Sequence, residues 1–220
     1  MHIFVDESGT FSKSPIPGSY SSICGLVIPE RSIRKRESIL KEYKLKSGFS
    51  HNDEVKAGKS TEEIYFSLLD KLATANDITA FISATDSSIN PGAQSHKDKQ
   101  VEKILRNEPN MIHEAGKNAV RKLAKSIETL SLQQWIEMFL RTRLVWDIVC
   151  RASLYYVQRT PATLGSFKWN FDQKNIPRNK FDETFSSVTL PLTQALTIKD
   201  PFVYLSGATS TSDERRVGKA

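Results

Sequence analysis

The chain has 220 residues, a hydrophobic content of 39% and a charged content of 25%, values typical of a globular protein with a sizeable core. It has no run of about 18 apolar residues and no visible signal peptide. We therefore expect one domain spanning residues 1–220, located in the cytoplasm and without a membrane partner. The net charge of +6 permits a polyanionic partner such as nucleic acid without requiring one.

Several kinds of site are disfavoured by the residue pattern. Cys24 and Cys150 lie in apolar stretches outside any CxxC, which predicts buried free thiols. The histidines have no ligand spacing, so a zinc site is not expected. The chain also contains no GxGxxG, no GxxxxGK[ST] and no GxSxG, so neither a nucleotide-binding loop nor a serine-hydrolase elbow is indicated.

The chain begins with an apolar strand that ends in two acids. Ile3 to Val5 lead into Asp6 and Glu7, and a turn follows at Ser8-Gly9. Two adjacent carboxylates are costly to bury unpaired, so they either lie at a solvated rim or hold a cation. A second apolar stretch, 20–28, follows a loop rich in proline and glycine, and we expect the two strands to form a wide hairpin.

Gly25 interrupts the second strand, which predicts either a bulge or a close approach of another segment. Residues 32–46 then predict a helix. One side of this helix is basic and includes Arg34, Lys35 and Lys41. Such a side is either a solvated surface or a surface that contacts phosphates, and both interpretations stay open.

The next predicted elements are a helix and a strand. Ser60 to Glu63 form a capping box, which starts a helix that runs to about Ala75. A strand over 77–86 follows and ends on Asp86. Residues 96–160 are then mainly helical and look like an insertion between strands. Its last helix opens at Ser131 and is rich in apolar and aromatic residues, which indicates a buried element.

The remaining pattern predicts a strand, a helix and a final strand. Residues 167–172 alternate between apolar and polar side chains and end on Asp172, which is typical of a strand. A helix over 178–190 should end or kink at Pro191. Residues 202–205 predict the final strand, and 207–220 predict a mobile tail.

Three predicted strands thus end in an acid: Asp6, Asp86 and Asp172. One acid at a strand end is ordinary turn or capping chemistry. Three of them, with Glu7 and Glu54, suggest a cluster if the strands are neighbours and share an edge. Mg²⁺ or Mn²⁺ would relieve the repulsion between such carboxylates. Two such ions about 4 Å apart can activate a water and stabilise the leaving oxygen of a phosphodiester.

Short motifs in this chain resemble a known family. They are MHIFVDESGTF at the N-terminus, EVK at 54–56 and WNFDQKN at 169–175. In this order they resemble the bacterial and phage domain-of-unknown-function 3800 family, which is similar to the ribonuclease-H-like superfamily. The resemblance spans residues 1 to about 206. It implies an α/β fold: a mixed sheet of about five strands, helices on both faces and a helical insertion at 96–160.

The resemblance also implies roles for the acids. Asp6 would be the central catalytic and metal ligand, bridging two Mg²⁺ or Mn²⁺ ions. The other implied members are Glu54, Asp86 and Asp172 as catalytic metal ligands, and Glu7, Ser8 and Lys56 as supporting residues. Members of the superfamily usually carry a last acid on a C-terminal helix, which has no counterpart here. Either the chain is shortened or its metal site lacks a ligand.

These patterns leave three functions open. The first is a divalent-metal-dependent nuclease that hydrolyses phosphodiester bonds of DNA or RNA, with Arg34, Lys35 and Lys41 contacting phosphates. The second is a non-catalytic module of the same fold that binds nucleic acid or protein. The third is an assembly protein whose insertion at 96–160 forms a homo-oligomer interface. Fold analogy alone does not choose among them.

Overall fold

A computed structural model describes residues 1–50, 52–55, 57–88, 92–172 and 180–199. In this part of the chain the fold is α/β, with a four-stranded mixed sheet in the order β3-β2-β1-β4. The strands are β1 His2–Ser8, β2 Tyr20–Ile28, β3 Thr79–Asp86 and β4 Lys168–Phe171. The helices are α1 Ile33–Lys46, α2 Glu62–Ala73, α3 Ala93–Leu105, α4 Glu114–Glu128, α5 Leu132–Asp147, α6 Ser153–Val157 and α7 Lys180–Lys199.

Three of the four strands run in the same direction, so their carboxyl ends lie on the same side of the sheet. β1 pairs antiparallel with β2, which confirms the predicted hairpin, and parallel with β4. β2 pairs antiparallel with β3. β1, β3 and β4 therefore run in the same direction, so the acids at their ends lie towards the same edge.

The two faces of the sheet differ in what covers them. Side chains alternate between the faces of a strand. Ile3 and Val5 of β1 and Ile23 and Val27 of β2 are buried in the core on one face, which we call the covered face. The other face, which we call the open face, carries the next residues of each strand: Phe4, Asp6, Tyr20, Cys24, Leu26 and Ile82. Its large apolar side chains include Tyr20, 67% exposed, and Ile82, 70% exposed.

Helix α5 fills the covered face. It begins at Ser131 as predicted, and a capping box holds its N-terminus: the Ser131 side chain accepts from the Gln134 backbone and the Gln134 side chain accepts from the Ser131 backbone. The helix continues through a π-helical turn, Ile148–Ala152, into α6. Residues between β3 and β4 are helical as predicted, but α5 belongs to the central core, so this segment is not a detachable addition.

Gly25 marks a close approach and not a bulge. It keeps a regular register, opposite Val5 and Phe81. A Cβ built at Gly25 would lie 2.5 Å from Ile148 Cδ1 and 3.4 Å from Leu144 Cδ2. Only glycine lets the α5 segment pack this closely on β2.

Helices α1 and α2 pack mainly against each other. The Tyr43 ring of α1 is buried, and its hydroxyl lies 2.5 Å from Ser60 Oγ. Thr61 caps α2 by accepting from the Ile64 backbone. On the open face, Phe4 and Ile82 are 41% and 70% exposed, so no described helix covers this part of it. The prediction of helices on both faces is not met in the described residues.

The number of strands and the extent of the last helix differ from the predictions. The described residues form four strands and not about five, and the final strand predicted at 202–205 and the tail at 207–220 lie outside the described residues. The helix predicted to end or kink at Pro191 runs on to Lys199. Val188 before the proline and Leu192 after it both pack on the core, so tertiary packing offsets the hydrogen bond that proline removes.

Two simpler expectations can be compared with the structure. Neither Cys24 nor Cys150 forms a disulfide in the described residues, and each is only partly buried, not buried as predicted. Among the described residues, no helix has the length and apolar character needed to cross a membrane.

Candidate functional site

Asp6 and Glu7 are adjacent in sequence but belong to different faces of the sheet. Glu7 shares the parity of Ile3 and Val5, so it points to the covered face, whereas Asp6 lies on the open face with Phe4. Asp6 is exposed. The two acids at the strand tip therefore have separate roles, and only Asp6 is presented to solvent on the open face.

Asp172 lies beside Asp6. The parallel register pairs Val5 with Phe171, so the next residues of the two strands, Asp6 and Asp172, are neighbours. Both line an open cavity of about 500 Å³. Its other lining residues are Phe4, Val5, Cys24, Leu26, Asn170 and Phe171. Two of the predicted ligands are thus brought to one exposed cavity.

Asp86 is not brought to this cavity. Asp6 pairs with Cys24, and Cys24 pairs with Ile82, four residues before Asp86. At about 3.3 Å per residue, Asp86 is about 13 Å further along the sheet and two strands away. Asp86 Oδ1 instead accepts from the Ser88 backbone at 2.8 Å and from Ser88 Oγ at 2.6 Å. These bonds are ordinary turn chemistry for an aspartate at a strand end.

The other predicted ligand also lies apart from the cavity. Glu54 is exposed in the segment between α1 and α2 and does not line it. Lys56, predicted as a supporting residue, lies outside the described residues. Within the described ranges, no group of three or more His, Cys, Asp or Glu side chains could hold a metal ion. The predicted cluster of four carboxylates is therefore reduced, in this part of the chain, to the pair Asp6 and Asp172.

The pair still has donor chemistry that suits a hard cation. Mg²⁺ is typically held by one or two carboxylates together with waters and substrate phosphates, not by a complete protein cage. The thiol of Cys24 is a poor additional ligand, because burial and then the charge of Asp6 raise its pKa above its ordinary value of 9.0. The cavity therefore fits an oxygen-liganded Mg²⁺ or Mn²⁺ better than a thiolate-bound metal.

Glu7 is engaged on the covered face. Its Oε2 accepts from Arg141 Nη2 at 3.0 Å, and the same Nη2 donates to Glu137 Oε1 at 2.7 Å. Glu7 therefore does not face the cavity as an alternate ligand. Ser8, also predicted as a supporting residue, is exposed opposite Ser22 at the end of β1.

The glycine of the DESG motif has a structural explanation. Gly9 has φ +100°, and a Cβ there would lie 2.6 Å from Ser21 Oγ. The same Ser21 oxygen accepts from the Phe11 backbone N–H at 2.9 Å. The turn after β1 thus needs glycine for close backbone approach, independently of any chemistry at Asp6.

The basic residues of α1 lie away from the carboxylates. Arg34, Lys35 and Lys41 are exposed, which agrees with a solvated helix side. α1 follows the carboxyl end of β2, where Ile28 pairs with His2, and this is the edge of the sheet opposite the acids. Contact between these residues and a phosphate next to Asp6 would require an extended substrate.

Residues beyond the predicted ligands also build the cavity. Phe4, Leu26 and Asn170 line it, and Asn170 Nδ2 donates to the Ile3 carbonyl at 3.3 Å, which ties β4 to β1. The alternation of β1 and β4 could have identified Phe4 and Asn170, which share the parity of Asp6 and Asp172. Leu26 is placed by the register of β2 against β1, which alternation does not give.

Comparisons with protein-family models, with curated proteins and with solved structures find no match to this chain. The similarity to the domain-of-unknown-function 3800 family therefore rests on the short motifs alone. The function has to be argued from the site.

Proposed function

We propose that this protein is a divalent-metal-dependent nuclease of ribonuclease-H-like type, in which Asp6 and Asp172 hold Mg²⁺ or Mn²⁺. One observation carries the proposal: two carboxylates from adjacent parallel strands are exposed side by side and line the same cavity. Unpaired neighbouring carboxylates repel each other, and a divalent cation offsets that repulsion.

The surrounding residues suit a phosphodiester substrate. When bound, the metal supplies an activated water and charge stabilisation at the phosphate. Asp6 and Asp172 would hold the cation, and water and substrate oxygens would complete its coordination. Phe4 and Leu26 provide apolar walls against which a sugar or base can pack. The net charge of +6 is compatible with a polyanionic substrate.

The finer assignment to a ribonuclease-H-like fold is supported by the arrangement of the first strands. The resemblance implies a strand that ends in Asp, a loop with Gly and Pro, and a hairpin partner. β1, the loop after it and β2 follow this order, with β1 central in the described sheet. The fifth strand that the resemblance also implies falls at 202–205, outside the described residues.

The test is a cleavage assay on single-stranded DNA, duplex DNA, RNA and an RNA–DNA hybrid, with Mg²⁺ or Mn²⁺. Wild-type protein should cleave at least one substrate, and EDTA should abolish cleavage. Asp6→Asn and Asp172→Asn should each lower the rate about 1000-fold, since a metal ion supplies several kcal/mol to such a reaction. The matched control is Asp98→Asn, an exposed aspartate on α3 that accepts from Gln94.

Two results would reject the nuclease. One is no cleavage of any substrate with either metal. The other is cleavage by Asp6→Asn or Asp172→Asn at the rate of Asp98→Asn, because the activity would then come from another site or from a contaminant.

A non-catalytic binding module is the second candidate, and the open face favours it. Only two carboxylates converge among the described residues, while Tyr20 and Ile82 expose apolar surface on the same face. Aromatic side chains on an exposed sheet can stack nucleic-acid bases. This module should bind single-stranded RNA or DNA equally well in EDTA and in Mg²⁺. Binding that Tyr20→Ser leaves unchanged would reject this use of the face.

A further inference from the structure

Arg141 lies at the centre of a buried network behind the cavity. Its side chain is 5% exposed, and its Nη2 donates to both Glu7 and Glu137, whose side chains are 19% and 6% exposed. Glu137 is one turn earlier on α5, whereas Glu7 belongs to the carboxyl end of β1. The arginine therefore links a central helix to the tip of the strand that carries Asp6.

The same guanidinium is surrounded by aromatic rings. Its central carbon lies 5.9 Å from the ring centroid of Phe171, 5.1 Å from that of Phe181 and 6.0 Å from that of Phe185. These distances are those of cation–π contacts. Phe171 ends β4, and the other two rings belong to α7. One side chain of α5 thus contacts β1, β4 and α7.

The two strand contacts adjoin the two candidate ligands in sequence. Glu7 directly follows Asp6, and Phe171 directly precedes Asp172. Because side chains alternate, Arg141 holds Glu7 and Phe171 on the covered face, while Asp6 and Asp172 emerge on the open face. We infer that Arg141 is a positioning residue for the carboxylate pair, setting the separation of Asp6 and Asp172 by fixing the ends of β1 and β4 from behind. This role rests on the proposed function.

Stability alone is a weak reason for this network. Replacing a buried ion-pair triad by packed apolar side chains is commonly neutral or stabilising. In addition, Arg141 Nε is buried and has no hydrogen-bond partner among the described residues. A metal site, in contrast, needs its ligands held to within about 0.5 Å, and outer contacts of this kind supply that precision.

The test uses variants that keep the fold. Glu7→Gln removes one charged arm and keeps its shape, and Arg141→Lys keeps the charge but loses the planar fork and ring stacking. Arg143→Lys is the matched control, because Arg143 lies on the same helix but forms a half-exposed pair with Asp147. For each protein, amide hydrogen exchange is measured at the ends of β1 and β4, and Mn²⁺ affinity is measured by calorimetry without substrate.

Glu7→Gln and Arg141→Lys should both speed exchange at the ends of β1 and β4 and weaken Mn²⁺ binding about tenfold, the lower end of the effect of outer-shell changes. Arg143→Lys should change neither. Faster exchange with wild-type Mn²⁺ affinity would reduce Arg141 to a structural residue and overturn the inference, as would exchange and affinity equal to the control in both variants.

Failure of the proposed function gives a different pattern. If wild-type protein binds no Mn²⁺, the nuclease and the role of Arg141 towards a metal are both overturned. Faster exchange in Glu7→Gln and Arg141→Lys would then show that Arg141 holds the strand ends for structure alone.

Discussion

The two faces of the sheet treat neighbouring acids in opposite ways. On the covered face Glu7 is neutralised by Arg141, within a network that also contains Glu137 and three phenylalanine rings. On the open face Asp6 is exposed next to Asp172. A shift of one residue along β1 therefore separates a structural carboxylate from one that is available to a ligand.

This difference shows where function can reside in the fold. The polar groups of the covered face bind one another, so substitutions there should act on stability and reach the site only by moving the ends of β1 and β4. Asp6 and Asp172 on the open face are exposed, so substitutions of these two residues should act mainly on binding and chemistry. Each of the following experiments tests this division.

The largest effect on stability is expected from Arg141→Met. Removing the arginine takes its positive charge away from Glu137, which is 6% exposed, and from the half-buried Glu7, which should lower the free energy of unfolding by about 3–5 kcal/mol. Urea denaturation measures this change. Arg143→Met, at the half-exposed pair with Asp147, should cost less than about 1 kcal/mol. Equal losses in the two variants would contradict the division between the faces.

Gly25→Ala should give the next largest effect. The added Cβ would lie 2.5 Å from Ile148 Cδ1 and should destabilise the protein by about 1–3 kcal/mol. Ile148→Val removes the clashing methyl, so the double variant should lose less than the sum of the single losses. Gly165→Ala is the control, since a Cβ there meets nothing within 4 Å. Additive losses in the double variant would mean that the packing of α5 on β2 is not what requires glycine.

Asp6→Asn should have almost no effect on stability. Asp6 is exposed, so the free energy of unfolding should stay within about 0.5 kcal/mol of wild type. Glu7→Gln, one residue further on, should cost about 1–3 kcal/mol, because it weakens a partly buried hydrogen bond to a charged group. The free energies of unfolding of the two variants are compared by urea denaturation. A larger loss from Asp6→Asn than from Glu7→Gln would reverse the assignment of the faces.

Much of the fold could be predicted from local sequence signals. The strand alternation, the hairpin and the start of α5 at Ser131 depend on nearby residues, and the structure has all of them. The cap of α2 is Thr61, one residue after the Ser60 of the predicted capping box. The alternation of side chains along β1 also indicates that Asp6 and Glu7 point to opposite faces of the sheet, because Glu7 has the parity of Ile3 and Val5.

The composition of the site could be predicted less well, for a physical reason. An acid at the end of a strand indicates on which side of the sheet its carboxylate lies, but not how far along it lies relative to the neighbouring strands. The pairing register decides that, and it places Asp86 about 13 Å beyond Asp6 along the strands. Arg141 reaches Glu7 across 134 residues of chain, a contact that no local pattern specifies. The spacing of Glu137 and Arg141 in an apolar helix was the one signal that charges were buried there.

The smallest expected effect concerns Cys24 on the open face. Burial is the larger cause of its raised pKa, and the negative charge of Asp6 adds to it by disfavouring the thiolate. Asp6→Asn should therefore lower the pKa of Cys24 slightly and speed its alkylation at fixed pH. The measurement is the pH dependence of iodoacetamide labelling in a Cys150→Ser background. If the pH dependence of labelling is unchanged, the charge of Asp6 does not affect the Cys24 thiol.

The most direct test of the central claim is calorimetric titration of Mn²⁺ into wild-type protein and into Asp6→Asn, Asp172→Asn and Asp86→Asn. The pair at the open face predicts that the wild type binds Mn²⁺, that Asp6→Asn and Asp172→Asn both lose most of this affinity, and that Asp86→Asn keeps it. Wild-type affinity in either Asp6→Asn or Asp172→Asn would contradict the assignment of the metal to this pair.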